Sequence, residues 1–153
     1  MEQKNVQAIF QLQDSYVKDF SIKTSKKIDS KENLNIIGQL GFRIINISEN
    51  KDNLIGQIEL INDIKLNVKE EERTVIHISM IGLFVNDKKQ DKNKFEEMLK
   101  LNGASTLSHL IRAYIYSITG LSGIPAIVTP MVNFVEFFKN AEEQESKADT
   151  GLQ

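Results

Sequence analysis

The chain has no cysteine, no tryptophan, two prolines and two histidines in 153 residues. Without cysteine there is neither a disulfide framework nor a thiolate metal cage. No charge of one sign dominates, since 19 basic residues face 21 acidic ones for a net charge of −2. Nucleic-acid binders need clustered Lys and Arg to displace counterions from phosphates, so nucleic acid is excluded as a partner. The pairs Lys26-Lys27 and Lys88-Lys89 read as solvated turns. No apolar run approaches the ~18 residues that span a bilayer. The opening MEQKNVQAIFQLQDSY has no basic stretch followed by an apolar one, so membrane insertion and export are not expected and a cytoplasmic location is.

What the chain does have is 41% hydrophobic residues, including 20 isoleucines, enough for one globular domain with a real core. Through the first two thirds the apolar residues alternate, the period of a half-buried strand. Phe10, Leu12, Tyr16, Phe20 and Ile22 share the even register of a first segment, interrupted by Asp14 and Lys18. Leu34, Ile36, Leu40, Phe42 and Ile44 do so in a second, and Leu54, Ile58, Leu60, Ile64, Leu66 and Val68 in a third. A fourth has Ile76, Ile78, Met80 and Phe84 on one face and Val75, Ile81, Leu83 and Val85 on the other. The links SKKIDSKEN, SENKDN and KEEER are polar, and the last two are short enough for hairpins, so a four-stranded antiparallel meander is expected. Leu54 to Lys69 would span about 50 Å at ~3.3 Å per residue, so Gly38, Gly41, Gly56 and Gly82 are expected to serve as bulges.

After Val85 the period changes. Phe95, Met98 and Leu99 predict a short helical turn that Asn102-Gly103 would end. Ser105 or Thr106 would then cap a main helix whose Leu107, Leu110, Ile111, Tyr114, Ile115 and Ile118 form one stripe, with Tyr116 on the remaining face. GLSGIPAIVTPMV holds both prolines and cannot be regular helix, yet Ile124, Ile127, Val128 and Met131 are apolar and need a cover. Asn133, with Glu136 three residues on, predicts the cap of a last helix whose Phe134, Phe137, Phe138 and Ala141 face inward. The fold class is therefore α+β, a four-stranded antiparallel sheet with two C-terminal helices on one face. One domain over 1–141 and a flexible polar tail over 142–153 are expected.

Catalytic patterns are missing. No phosphate-binding glycine motif occurs, and GLSG at 120–123 lacks the spacing of a nucleophile elbow and follows a helix. His77 and His109 have no ligand at metal spacing in the sequence, and Glu70-Glu71-Glu72 reads as a soluble hairpin turn. Neither an enzyme, a cofactor nor a metal is expected.

Two anchors resemble the bacterial export chaperone SecB family. FQLQDSYVKDFSI, Phe10 to Ile22, is similar to the family's first strand, with its Phe-Gln-x-Gln opening and Tyr-x-Lys-Asp at 16–19. Leu107 to Phe138 follows the family with Arg112 in its Ala-Arg-Glu place, Ile-Pro at 124–125 and Val-Asn-Phe at 132–134. Ile-Gly-Leu-Phe at 81–84 is similar to the end of its fourth strand. The resemblance implies an ATP-independent holdase that keeps unfolded polypeptides in apolar grooves for export, assembled as a homotetramer, a dimer of dimers. Such a site must be apolar, extended and tolerant of sequence. Ile124, Ile127, Val128 and Met131, with Phe134, Phe137, Phe42 and Ile44, are the candidate lining, although Phe134 and Phe137 equally suit a monomer core. The family's first strand and main helix form its subunit contacts, which makes Tyr16, Val17 and Tyr114 candidates for the oligomer interface.

The family docks on the translocation motor SecA through carboxylates on the outer face of the sheet. Asp19 remains, but Lys23 and His77 stand where acidic residues are usual, and His-Leu-Ile-Arg-Ala at 109–113 replaces Pro-Tyr-Ala-Arg-Glu. Fewer charges weaken electrostatic docking, so holding clients transfers better than delivering them. Some SecB-like proteins guard the antitoxin of a toxin–antitoxin pair, and this sequence suits that role as well. A carrier enclosing a small hydrophobic ligand is the rival class, marked by a closed cavity instead of an open groove.

Overall fold

The computed structural model describes residues 9–88 and 90–150; Lys89 of the predicted 88–89 turn lies outside them. Four long strands, β1 (Gln11–Thr24), β2 (Asn35–Glu49), β3 (Asn53–Val68) and β4 (Glu71–Asp87), form one antiparallel sheet. They are followed by α1 (Lys92–Met98), a five-residue π turn over Leu99–Gly103, α2 (Ala104–Leu121) and α3 (Phe134–Thr150).

The strand order is β1-β4-β3-β2, so only the last three strands form a meander. β1 pairs with β4 instead of its neighbour in sequence. Residues 25–34 carry the chain from one edge of the sheet to the other, a distance of about three strand spacings that ten residues reach easily. Ile28 is buried on the way. Arg73 fastens the crossing: its guanidinium donates to Glu71 (2.9 Å), to Glu32 (3.5 Å) and to the Lys27 carbonyl (3.4 Å), and its own carbonyl accepts from the Ser25 amide (2.9 Å). The doubly apolar character of β4 fits its central position, flanked by strands on both sides.

The bulges fall elsewhere than at the glycines. The pairing register slips at Gln13 and Lys18 in β1, at Ile45 in β2 and at Arg73 in β4. Each inserted residue reverses the side that later residues face. The even register expected for β1 therefore fails in its middle: Leu12, Val17, Phe20 and Ile22 pair with inward residues of β4, and Tyr16 pairs with Ile81 on the outer face. Gly56 and Gly82 serve close packing instead. A Cβ on Gly56 would lie 2.5 Å from Leu99 Cδ1, and one on Gly82 would lie 2.8 Å from Leu107 Cδ2.

Gly103 differs from expectation for the same reason. It does not end a helix, because its φ of −64° is helical and the chain continues through the π turn into α2 without a side-chain cap. A Cβ there would come 2.9 Å from Ile58 Cδ1. Phe95, Leu99, Leu107, Ile111 and Ile115 from the helices thus press directly onto Leu54, Ile58, Leu60, Ile76 and Phe84 of β3 and β4, forming one core. Asp91 starts α1 by accepting from the Asn93 amide (3.2 Å). α3 extends to Thr150, beyond Ala141; the side chains of 142–147 are exposed, and residues 151–153 lie outside the described part.

Candidate polypeptide-binding site

The segment joining α2 to α3 runs back along α2 and is held by two of its side chains. Thr119 accepts from the Ile127 amide (2.9 Å) while donating to the Ile115 carbonyl (2.7 Å). One turn pair earlier, Arg112 Nε donates to the Thr129 carbonyl (2.8 Å). Residues 112 and 119 are seven apart and lie on one helix face. An apolar segment without regular structure needs partners for its backbone, and these two side chains supply them. Asn133 then caps α3, its Oδ1 accepting from Val135 (3.1 Å) and Glu136 (3.3 Å).

This tethering sorts the eight candidate lining residues. Ile124, Ile127 and Phe134 turn inward and belong to the core. Val128 and Met131 turn outward and are 61% and 71% exposed. Phe42, Ile44 and Phe137 are half-buried between the two groups. Phe42 meets Phe138 edge-on at 5.0 Å, and Phe138 meets Phe137 in the same way at 5.1 Å, an aromatic bridge from β2 to α3. Beside it, a pocket of 160 Å³ opens between β2 and the segment, lined by Ile36, Gly38, Leu40, Ile64, Thr129 and Val132 among others. Leu121 and Val135, exposed just before and just after the segment, are further apolar groups that sequence reasoning missed.

Of the candidate interface residues, Tyr16 is 51% exposed on the outer face. Val17 packs against the core, and Tyr114 lies edge-on to Phe20 at 5.4 Å. The outer face also holds Glu59, only 3% exposed, which touches every strand of the sheet. It accepts from Lys18 of β1 (3.1 Å), from Ser79 of β4 (2.5 Å) and from Arg43 of β2. Burial by itself raises this carboxyl, but the hydrogen bonds from Ser79, Lys18 and Arg43 and the charge of Arg43 outweigh it and bring the pKa down to about 2. Asp19, the candidate motor contact, lies 3.6 Å from His77 Nε2, and the other ring nitrogen is 2.6 Å from Asp63. The fold thus brings two carboxylates to a histidine that looked isolated in the sequence. Among the described residues no group of three or more His, Asp and Glu side chains is arranged to hold a metal, and no helix is long and apolar enough to cross a membrane.

The family model of SecB, preprotein translocase subunit SecB, matches residues 3–145. The chain belongs to the SecB family. It is not an enzyme family, and membership supports a chaperone role. Among solved structures, a SecB-like chaperone from Mycobacterium tuberculosis in complex with a ChAD peptide from an antitoxin superposes with a TM-score of 0.63. At 13% identity, over 80% of this chain and 90% of that chain, it supports the SecB-like fold. A protein of unknown function from Streptococcus agalactiae reaches a TM-score of 0.39 at 10% identity, over 79% of this chain and 96% of that one, and carries no argument. No curated protein sequence matches the chain.

Proposed function

We propose that this SecB-family protein is an ATP-independent holdase that binds unfolded polypeptides along the wall formed by the α2–α3 segment and β2. The observation that carries the reading is the exposure of Val128 and Met131 on a segment whose backbone is tied down by Thr119 and Arg112. Exposed apolar groups on a fixed backbone form a receptive surface, and β2 beside them is an edge strand. Phe42, Ile44 and Phe137 form the wall's flank, with Ile124, Ile127 and Phe134 beneath it. The larger recesses, 570 Å³ beside Lys27, Asp29 and Ser30 and 480 Å³ beside Asn102, Ser105 and His109, carry polar walls, and the 160 Å³ pocket beside β2 has room for about one ring, which together disfavour the carrier of a larger hydrophobic ligand.

Assembly as a dimer of dimers is part of the proposal, with Tyr16, exposed on β1, half-buried Val17 and Tyr114 as the other candidate interface residues, and Tyr116 and Leu110, exposed on α2, as further apolar groups for subunit contact. Asp19 is proposed to meet SecA only weakly, because Lys23 and His77 stand where the family has further acidic residues. A dedicated antitoxin client is the second reading, favoured by the antitoxin peptide on the mycobacterial structure.

The deciding experiment pairs native mass with suppression of aggregation of an unfolded reference protein in the absence of ATP. The double variant Val128→Ser/Met131→Ser should keep its melting temperature and lose most of the suppression. Undiminished suppression by that variant would sink the proposed wall.

A further inference from the structure

From Ala104 to Asn133, through α2 and the segment after it, the chain carries one charged side chain, Arg112, although 26% of all its residues are charged. No carboxylate lies in that stretch to offset it. Across the wall β2 adds Arg43, but that guanidinium is bound to Glu59 on the outer face of the sheet. Arg112 uses only its Nε, in the 2.8 Å bond to the Thr129 carbonyl. The bond places its guanidinium against the residue that lies between exposed Val128 and exposed Pro130. Nη1 and Nη2 have no hydrogen bond or ion pair among the described residues, and they are not among the side-chain atoms buried without a partner, so they open to solvent. Half-buried Arg112 thus presents a full positive charge and free N–H donors beside apolar surface. A charge at such a margin is screened less by water than one on a polar surface, and a carboxylate can engage its donors in bidentate fashion.

We infer that Arg112 makes the wall selective for an acidic side chain within an otherwise apolar stretch of the bound polypeptide. The apolar side chains rest on Val128 and Met131, and an Asp or Glu beside them pairs with the Nη donors. A Gln in its place offers a neutral acceptor and a weaker bond, and a Lys meets a like charge. Apolar surface alone would disfavour Glu and Lys alike.

The inference rests on the proposed holdase reading, and the test separates the two. Unstructured peptides identical except for a central Glu, Gln or Lys between leucines are titrated against the wild-type protein by fluorescence anisotropy. At low ionic strength the Glu peptide should bind about 5-fold tighter than the Gln peptide, as one part-exposed ion pair predicts, and the Lys peptide more weakly than either. In about 1 M salt, where the Debye length is ~3 Å, most of that spread should vanish. Arg112→Gln puts an amide nitrogen where Nε stands, which keeps a donor for the Thr129 carbonyl and removes the charge, so the Glu-to-Gln ratio should fall to about 1. Arg112→Lys should keep the preference, and Arg112→Glu should reverse it in favour of the Lys peptide. Each ratio compares peptides on one protein, so a general weakening of the wall in a variant does not imitate the result. Equal affinity of the wild-type protein for the Glu and Gln peptides, a Lys peptide that binds best, or a preference that survives Arg112→Gln overturns the inference. If the wild-type protein suppresses aggregation yet shows no Glu preference, only the inference fails; if it holds no unfolded chain, the holdase reading fails too.

Discussion

The two halves of the sheet are built from the same residue types and differ in what covers them. In β3 every inward position from Leu54 to Val68 is buried except Asn62. β2, paired to it along almost its whole length, has no buried residue at all. The helices press on β3 and β4 at Gly56, Gly82 and Gly103, whereas β2 is met by the α2–α3 segment and the aromatic residues of α3. Burial is therefore concentrated on one side of the sheet and half-exposed apolar surface on the other, and that division is not visible in composition alone.

Ile58 and Ile44 face each other in register across this divide, so they measure it directly. Ile58→Ala should cost about 3–4 kcal/mol in a denaturant titration and Ile44→Ala only about 1 kcal/mol. Equal losses would mean that the halves are not different in kind.

Glu59 ties the two sides together from the outer face, and its depressed pKa gives the tie a pH dependence. A carboxyl that falls from 4.5 to about 2 on folding contributes stability that is complete above pH 4.5 and is lost as pH falls towards 2. The full contribution is roughly 3 kcal/mol. Glu59→Gln should lower stability at pH 7 by about 2 kcal/mol and flatten the acid side of the profile. A variant as acid-sensitive as the wild type would remove Glu59 from this role.

The glycines provide a third contrast. Gly56→Ala forces a methyl into Leu99 and Phe95 and should cost about 2 kcal/mol, while Gly38→Ala, over open space, should stay within about 0.5 kcal/mol. The smallest effect concerns the β3–β4 hairpin, where Lys69 (φ 49°) and Glu70 (φ 66°) hold the left-handed conformations of a tight two-residue turn. Replacing them with Asn and Gly should raise stability by about 1 kcal/mol, read as an upward shift of the melting temperature.

The sequence shows best where periods run uninterrupted. β2, β3 and β4 keep their alternation over most of their length, and the stripe of the main helix and the Asn133 cap are where their residues predict, whereas Ser105 and Thr106 lie inside the helix and do not cap it, because the chain enters it already helical. β1 is misread because two bulges reverse its faces; Asp14 and Lys18, which break the apolar register, are the trace those bulges leave. A glycine kept for close approach looks the same in a sequence as one that ends a helix, which is why Gly103 misleads. At the site, the apolar character of residues 124–131 is plain, but a segment without a period does not reveal which side each residue takes. Ile127 turning in and Val128 turning out follow from the Thr119 tether, a contact between residues eight apart that no local pattern announces.

That tether also bears on the energetics of association. A loop that must be ordered when a partner arrives subtracts its lost conformational entropy from the binding energy. The α2–α3 segment is already fixed at Ile127 and Thr129, so the unfolded chain proposed to dock on it would bring nearly all of the disorder that has to be given up. Stiffening such a partner, for instance by closing a short peptide into a ring, should therefore strengthen binding far more than any added rigidity in the protein.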